Sequence, residues 1–550
     1  MEHSRVVTPM QRFSRTVRWV AIAPVGIVAL FVVWPSIALL SRGLTLDALG
    51  DLVDLPTMRR TLWFTFWQAT VSTVLTLGVG VPVAGLLSRL HFRGRNIVRS
   101  ITLVPFVLPT LVVGLGVNAV LPGSLATGAA PLIVAHVFLN IAVIVRIVGP
   151  HWESLPRDLI DASATLGAPA WRRFVDITWP LIRSSVLAAT GIVFLFCFTT
   201  YGAARVLAGP QRPTVETEIY RYAVLVGDLP RASALAIAQV CMVGIVLVLT
   251  SQRSVRVAHQ PQYRLLQDLR RPIRLATYVG LGALTFAVLL PLAGVVLTSL
   301  RPSGTFSLSS WRAAFTGSSD GANAVDAIIA SFKIAVIATL LALCLGVMVA
   351  AVQSYASRPL LRHTATVVTA TPVVISAVVL GLGFILAFRT QPIDWRGSWW
   401  LLPVAHAMVA LPLVSRALTP AVQQIPNGYR DAASLLGASP WRVWRDIDIA
   451  LIRRPLAGAA SLAATISLGE FGASSLLSRR GDETVTMTMG RLLGKPGDIA
   501  QGQVFVLATI LAATCIVLTV VVDATSSNDT TVNKAVNKAV NKAVNKAVQP

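Results

Sequence analysis

Apolar segments long enough to cross a membrane recur along the whole chain. A transmembrane helix needs about 20 mostly apolar residues, because each residue adds about 1.5 Å and the hydrocarbon layer is about 30 Å thick. The segments of this length fall into two sets of six. They are 17–40, 62–88, 98–120, 131–149, 180–206 and 232–250, then 275–300, 323–352, 365–388, 399–418, 455–478 and 502–522. The pattern predicts an all-α polytopic membrane protein with twelve transmembrane helices.

Composition and cysteine usage agree with a membrane protein. Hydrophobic residues make up 54% of the 550 positions and charged residues 13%, whereas a soluble domain carries about 25% charged residues. The polar surface that keeps a protein of this length in water is therefore missing. The 4 cysteines lie inside apolar segments without CxxC spacing, so neither a disulfide framework nor a thiolate metal site is expected.

The net charge of +23 indicates the orientation of the chain. Aromatic residues lie in the apolar segments and not among the basic ones, so no nucleic-acid partner is expected. Lys and Arg concentrate in cytoplasmic segments of membrane proteins, and here they cluster in the N-terminal tail and after every second apolar segment of the first half. We therefore expect a multi-pass protein of the cytoplasmic (inner) membrane with both termini in the cytoplasm. Arg146 and Arg416, near span ends, are expected to contact lipid phosphates.

A long internal repeat predicts the architecture. Residues 134–228 align with 404–498 at a constant offset of 270, without a gap. Matched stretches include Val134-Ala135-His136 with Val404-Ala405-His406, Asp161-Ala162 with Asp431-Ala432, and Leu166-Gly167-Ala168 with Leu436-Gly437-Ala438. Because six is an even number of spans, the two six-helix domains should be parallel and related by an axis along the membrane normal. A solute pathway between the two halves follows.

The repeat divides the chain into four parts. We expect a first six-span domain at 1–250, a basic cytoplasmic linker at 251–274, and a second six-span domain at 275–524. The remainder, 525–550, is a low-complexity tail that repeats Val-Asn-Lys-Ala and spaces its lysines four residues apart. The preferred interpretation of this tail is a solvated, disordered segment, and a helix lying on anionic lipid is the alternative.

The best-matched part of the repeat is the loop between the fourth and fifth spans of each half. We call these loops knuckle 1 (155–177) and knuckle 2 (425–447). Each pattern predicts a short helix opened by Pro, a left-handed turn at Gly167 or Gly437, and a second helix that carries Trp. Small residues allow another backbone to approach, and leucines offer apolar contacts. The knuckles are therefore expected to dock onto a soluble partner, and packing beneath their own bundle is the alternative.

The knuckles resemble the EAA loop of ABC-importer permeases. In that motif, EAA is followed by three residues, Gly, nine residues, Ile, any residue and Leu-Pro. The matching residues are Asp161-Ala162-Ser163 and Asp431-Ala432-Ala433 for EAA, Gly167 and Gly437 for the glycine, Ile177 and Ile447 for the isoleucine, and Pro180 for the proline. Both copies use Asp for Glu, and the second copy has Ala450 instead of the proline. The resemblance covers essentially the whole chain, as a fused pair of type I permease domains.

The resemblance implies a role for the knuckles and a set of partners. In that family the loop is the coupling helix that sits on the ATP-binding subunit. The residues implied to couple are Asp161, Ala162, Leu166, Gly167, Asp431, Ala432, Leu436 and Gly437. The nearest lookalike of a phosphate-binding loop, at 490–496, has one residue too few between its glycines and Pro in place of Ser or Thr. We therefore expect no catalytic residue or cofactor here, a separate homodimeric ATP-binding subunit that uses ATP and Mg, and an extracellular or periplasmic solute-binding protein.

Several stretches resemble permeases for thiamine and for ferric iron. They are Phe66-Trp67-Gln68-Ala69, Ala135-His136-Val137-Phe138-Leu139-Asn140, Gly209-Pro210 with Thr214-Val215-Glu216-Thr217-Glu218-Ile219-Tyr220, and Ser467-Leu468-Gly469-Glu470-Phe471-Gly472. The first three are similar to the thiamine permease in particular. Both cargoes are cations, so the resemblance does not separate them.

Four residues are candidates for the cargo pathway. Glu470 is an ionisable group in an apolar span, which is costly unless it has a partner or faces water. A hydrated carboxylate at a span end is an equal alternative. Tyr201 and Phe471 occupy equivalent positions and offer ring faces to a cation, although helix packing is the simpler explanation. Asn140 lies one turn beyond His136 and suits an interhelical hydrogen bond. His136 and His406 lack companion ligands, so no metal site is predicted.

Two other classes of function compete with the importer. An ion-coupled secondary transporter is also commonly built from two six-span halves, but it tends to need several intramembrane acids or histidines, and Glu470 stands nearly alone. A polytopic membrane enzyme would need a convergent catalytic set, and none emerges from the sequence. The ATP-driven importer is therefore the preferred interpretation.

Overall fold

The computed structural model describes residues 23–121, 123–250, 264–268, 270–302, 304–316, 323–356, 359–389, 395, 398–478 and 483–520. These parts are helical almost throughout. Two short strands, β1 (Leu90–His91) and β2 (Arg264–Leu265), pair in parallel. The basic N-terminal tail, residues 251–263 of the linker and the C-terminal repeats lie outside the described residues.

The longer helices form one series that occurs twice. In the first half they are α1 (Ala23–Gly43), α2 (Leu46–Asp54), α3 (Pro56–Arg89), α4 (Arg95–Val107), α5 (Thr110–Val120), α6 (Ala129–Glu153), α7 (Arg157–Thr165), α8 (Ala170–Phe198), α9 (Gly202–Leu207), α10 (Val215–Tyr220) and α11 (Leu229–Thr250). In the second half they are α12 (Arg271–Leu300), α13 (Ser309–Thr316), α14 (Ala324–Tyr355), α15 (Pro359–Val374), α16 (Ala377–Ala387), α17 (Leu401–Gln423), α18 (Asn427–Leu435), α19 (Pro440–Gly469), α20 (Gly472–Leu477), α21 (Val485–Leu492) and α22 (Asp498–Val520). The duplication seen in the sequence is thus repeated in the order of elements.

The predicted third and ninth spans are bent. In the described chain, 10 helices are long and apolar enough to cross a membrane, and two bent pairs bring the number up to 12. The pairs are α4 with α5, bent by 107°, and α15 with α16, bent by 102°. Pro109 precedes α5, and the Ser376 hydroxyl accepts a hydrogen bond from the Val379 N–H at the start of α16. Both residues favour a new helix start, so the apolar segments at 98–120 and 365–388 each hold two helices joined by a bend, which the hydropathy pattern did not predict.

The predicted fifth and eleventh spans end early. They were expected to continue to residues 206 and 478, but α8 stops at Phe198 and α19 at Gly469. The backbone of Glu470 is extended, with ψ of 116°, which ends α19 before α20 begins. Tyr201, Glu470 and Phe471 therefore lie in the short connections between helices and not within continuous spans.

The first helix of each half packs against the bent span of the other half. A Cβ on Gly116 of α5 would lie 2.7 Å from the Pro291 carbonyl oxygen of α12, and a Cβ on Gly383 of α16 would lie 2.9 Å from Pro35 Cβ of α1. Small residues permit such close helix crossings in membranes. This exchange, which the sequence analysis did not predict, holds the two halves together. The division into two domains by chain position stays a prediction.

Each half contains a bundle of three long helices. In the first half α3, α6 and α8 pack together, and in the second half α14, α17 and α19 do so. The contacts again rely on glycine. A Cβ on Gly80 would lie 2.9 Å from Ile144 Cβ, and a Cβ on Gly346 would lie 2.5 Å from Val414 Cγ1. These bundles support the knuckles, which follow α6 and α17 directly.

Candidate functional site

Knuckle 1 has the helix, glycine turn and helix that the sequence predicts. Its helix α7 ends in a Schellman motif. The Ala168 N–H donates to the Ser163 carbonyl and the Gly167 N–H donates to the Ala164 carbonyl, both at 3.0 Å. Gly167 has φ of +82°, a conformation that other residues adopt at a cost. The helix α8 starts directly after this turn.

Knuckle 2 repeats this geometry. The Ala438 N–H donates to the Ala433 carbonyl at 3.0 Å, and the Gly437 N–H donates to the Ser434 carbonyl at 3.1 Å. Gly437 has φ of +83°. A Cβ on either knuckle glycine would meet nothing within 4 Å among the described residues, so the left-handed backbone alone explains the choice of glycine.

Both knuckles expose apolar side chains at their tips. Leu166 is 88% exposed and Leu436 is 89% exposed. The other residues of the predicted coupling set are exposed as well, and they are Asp161, Ala162, Gly167, Asp431, Ala432 and Gly437. An apolar patch outside the bundle marks an interaction surface, because covering it removes apolar area from water. Within the described ranges the knuckle tips do not pack beneath their own bundle, and their contact with an ATP-binding subunit stays a prediction.

Knuckle 2 is fastened to its bundle by an arginine that the sequence analysis missed. Arg430 Nε donates to Asp448 Oδ1 at 2.9 Å, and both residues are buried. Its Nη2 donates to the Val422 carbonyl at 3.1 Å, and its guanidinium lies 4.7 Å from the Tyr355 ring centroid. The repeat alignment did contain a signal for this arginine, because the two knuckles differ here. Ile160 stands at the equivalent position of knuckle 1.

Each knuckle continues into one long helix that reaches the contact between the halves. The helix α8 has 29 residues and α19 has 30, so each is about 45 Å long. Tyr201 follows the end of α8, and Glu470 follows the end of α19. Each of these helices therefore runs without a loop from a knuckle to the opposite end of the bundle.

The segments that follow these two helices meet at a cluster that we call the junction, formed by Tyr201, Glu216, Glu470 and Phe471. Tyr201 and Phe471 are buried, and their ring centroids lie 4.9 Å apart at an interplanar angle of 33°. Glu470 is half-buried, and its Oε1 accepts a hydrogen bond from the Ala473 N–H at 3.1 Å. The structure thus brings three of the four candidate cargo-pathway residues together.

Glu216 is the junction residue that the sequence analysis did not single out. It lies on α10 and is fully buried, and its Oε1 accepts a hydrogen bond from Gln239 Nε2 at 2.5 Å. The only signal was its place in a stretch similar to the thiamine permease. Hydropathy gave none, because the stretch lies between two apolar segments.

Asn140 and the paired histidines are engaged inside their own halves. Asn140 Nδ2 donates to the His136 carbonyl at 2.9 Å and contacts Cys197 Sγ at 3.5 Å. His136 Nδ1 lies 3.1 Å from Ser72 Oγ, and His406 Nδ1 lies 2.8 Å from Ser467 Oγ. In the part of the chain that the structure describes, no three His, Cys, Asp or Glu side chains form a group that could hold a metal ion.

Comparison with known proteins finds the same duplication. The family model described as binding-protein-dependent transport system inner membrane component matches residues 76–256 and 342–527. Each match contains one knuckle and one side of the junction. Among curated proteins, the thiamine transport system permease protein ThiP of Brucella abortus is 28% identical over 490 residues, which cover 84% of this chain and 87% of that protein. ThiP of Escherichia coli is 26% identical over 457 residues, or 78% and 83% of the two chains.

Proposed function

Because this chain belongs to the family of binding-protein-dependent transport system inner membrane components, we propose that it imports thiamine as the permease subunit of an ATP-driven transporter. The chain is a fused, duplicated type I permease and a multi-pass inner-membrane protein. ATP hydrolysis belongs to a separate subunit. The alternative of an ion-coupled carrier is not favoured, because the relatives are permeases of binding-protein-dependent systems.

The observation that carries the proposal is the pair of knuckles with one geometry. Two equivalent, exposed apolar tips suit a partner that presents two equivalent grooves. The proposed partner is therefore a homodimer of ATP-binding subunits, with one subunit on each knuckle and with ATP and Mg held in that dimer. The proposed residues of contact are the exposed ones of the predicted set, above all Leu166 and Leu436.

Alternating access follows from the long helices that join each knuckle to the junction. When the ATP-binding dimer closes, it moves the knuckles together, and α8 and α19 carry this motion to Tyr201, Glu470 and Phe471. The rings of Tyr201 and Phe471 then separate, and the path opens toward a solute-binding protein outside. Binding energy from the closed dimer has to exceed the cost of parting this buried contact.

The assignment of the cargo rests on the relatives. The ThiP proteins of Brucella abortus and Escherichia coli align over 84% and 78% of this chain. Thiamine carries a positively charged, flat thiazolium ring, which suits the aromatic faces and carboxylates at the junction. Ferric iron, the other cargo that the sequence suggests, is the competing outcome of the uptake experiment.

Uptake with altered knuckle glycines tests the proposal. Leucine at both Gly167 and Gly437 forces a left-handed backbone that costs about 1–2 kcal/mol per residue, which re-aims the tips while the bundle stays folded. We expect uptake of labelled thiamine to fall to the background of cells without the permease. The matched control is Gly94→Leu, which has φ of +84° and an equally open surrounding, and it should keep uptake.

Three outcomes would contradict the proposal in whole or in part. Wild-type uptake by the double glycine variant would remove the knuckles from the mechanism. Uptake that collapses with a protonophore while cellular ATP stays high would point to an ion-coupled carrier. Uptake of ferric iron in place of thiamine would keep the importer and change its cargo.

A further inference from the structure

Glu216 is a buried acid with an unsatisfied oxygen. Its side chain is fully buried, and Gln239 Nε2 donates to its Oε1. Its Oε2 forms no hydrogen bond of standard geometry among the residues that the structure describes, and the Ser376 hydroxyl of the other half lies near enough to interact with the carboxylate. A buried carboxylate oxygen without a well-placed donor is costly, because it has lost its water without a full replacement. Such a group is retained where something else supplies the missing interaction.

A second acid lies beside it. Glu470 is near enough for its charge to repel that of Glu216. Tyr201, whose ring contacts Phe471, lies near Glu216 and also near the exposed Arg205. Neither acid forms an ion pair within the described ranges. Two carboxylates in a low-dielectric site favour a cation between them, since a cation cancels their repulsion and satisfies the free oxygen.

The two acids come from opposite positions of the repeat. Glu216 corresponds to Thr486 in the second half, and Glu470 corresponds to Thr200 in the first half. Each half therefore supplies one acid and one threonine, and the position that holds the acid in one half holds the threonine in the other. Within the second half, Thr486 Oγ1 donates to the Glu470 carbonyl at 3.0 Å. The threonine that is equivalent to Glu216 therefore lies beside Glu470. The exchange brings both charges to the surface between the halves.

We propose that Glu216 and Glu470 form a binding site for a flat organic monocation that passes between the halves. The carboxylates hold its charge, and Tyr201 and Phe471 stack on its ring once they have separated. The inference rests on the proposed function and deepens it by naming the residues and the class of cargo. In the described state the two rings contact each other, so the site is closed until the knuckles move.

Direct binding of thiamine tests the site. The chain is reconstituted with its ATP-binding subunit in lipid nanodiscs, and equilibrium binding of radiolabelled thiamine is measured with a non-hydrolysable ATP analogue. We expect Glu216→Gln and Glu470→Gln each to weaken binding about tenfold or more, because each removes a charge-assisted contact. Glu216→Asp keeps the charge and should retain more binding than Glu216→Gln.

A matched control lies on the same helix. Glu218 forms an ion pair with Arg221 at 2.6 Å, so Glu218→Gln removes an acid two residues away without touching the site. This variant should bind thiamine as the wild type does. The uncharged thiazolone analogue of thiamine should compete poorly with thiamine on the wild type, and this preference should disappear in the Glu216→Gln, Glu470→Gln double variant.

Each outcome decides a separate question. Wild-type affinity in both glutamine variants, or equal competition by the uncharged analogue, would overturn the site. A wild-type complex that transports thiamine but binds none in this assay would overturn it too. The proposed function is tested separately by ATP hydrolysis in the same nanodiscs. If hydrolysis responds to the loaded binding protein in the wild type and in both glutamine variants, the importer stands. In that case a contradicting result of the binding assay overturns the cation site alone.

Discussion

At the residue scale, Arg430 marks the largest difference between the two knuckles. Its guanidinium joins knuckle 2 to Asp448 and to the C-terminal end of α17, where carbonyl groups attract a cation. In knuckle 1 the equivalent residues are Ile160 and Thr178. The same local fold is therefore reached once with a buried ion pair and once without it.

This difference supplies its own test. Arg430→Ile leaves Asp448 buried without its partner, and we expect a loss of about 3–5 kcal/mol, because breaking a buried ion pair strands a charge. The double variant Arg430→Ile, Asp448→Thr installs the residues of knuckle 1 and should recover most of this loss. Thermal unfolding of the detergent-solubilised protein measures both. A double variant as unstable as the single one would contradict the account.

The candidate site was predictable only where a residue stood out from its neighbours. Glu470 was visible because it interrupts an apolar segment, and the knuckle glycines were visible because the repeat preserves them. Glu216 was not visible, because it lies in a stretch of mixed polar and apolar residues. Its proposed role also depends on Glu470, which lies 254 positions further along the chain. Asp448 was missed for the same reason, as burial by α14 and α18 is a tertiary property.

At the element scale, hydropathy located the helices but not their bends or partners. All twelve apolar segments contain helix, yet the α4–α5 and α15–α16 breaks were not predicted, because a short capping residue barely changes the hydropathy of a span. The exchange of α1 and α12 between the halves was missed as well. Lipid-facing and helix-facing surfaces are equally apolar, so the pattern does not reveal which helices touch.

The exchanged crossings should depend on their glycines. At Gly116 and Gly383 a side chain would collide with α12 or α1, in the first case with a backbone oxygen that cannot turn aside. We expect Gly116→Leu and Gly383→Leu to lower the midpoint of thermal unfolding markedly and to reduce the yield of folded protein, since overpacking typically costs about 1–3 kcal/mol or more. Size-exclusion profiles and thermal unfolding provide the measurement.

Gly280 offers the matched control for these crossings. It also lies in α12, but a Cβ there meets nothing within 4 Å in the described structure. Gly280→Leu should therefore leave the unfolding midpoint nearly unchanged. Equal effects of leucine at Gly280 and Gly116 would show that the crossing does not hold the halves together.

At the scale of the whole molecule, duplication places two equal exposed tips and one shared junction on a single chain. The helices α8 and α19 run from each tip to the junction without interruption by a loop, and the proposed mechanism links motion at the tips to opening of the junction through them. The repeat and the knuckle motif predicted the paired knuckles but not the junction. The sequence did not reveal that the junction combines Glu216 and Glu470, which occupy different positions of the repeat. Their proximity is visible only in the folded chain, where the two halves are in contact.

The most direct test of the account is co-purification of the ATP-binding subunit through the knuckles. The tagged chain is extracted from native membranes, bound proteins are identified by mass spectrometry, and ATPase activity is assayed in the eluate. Leu166→Asp with Leu436→Asp alters only exposed tips, and Leu125→Asp, in an exposed turn between α5 and α6, is the control. The account predicts a nucleotide-binding subunit and ATPase activity with the wild type and the control, and the loss of both with the double variant. A chain that purifies alone and transports without ATP would contradict it.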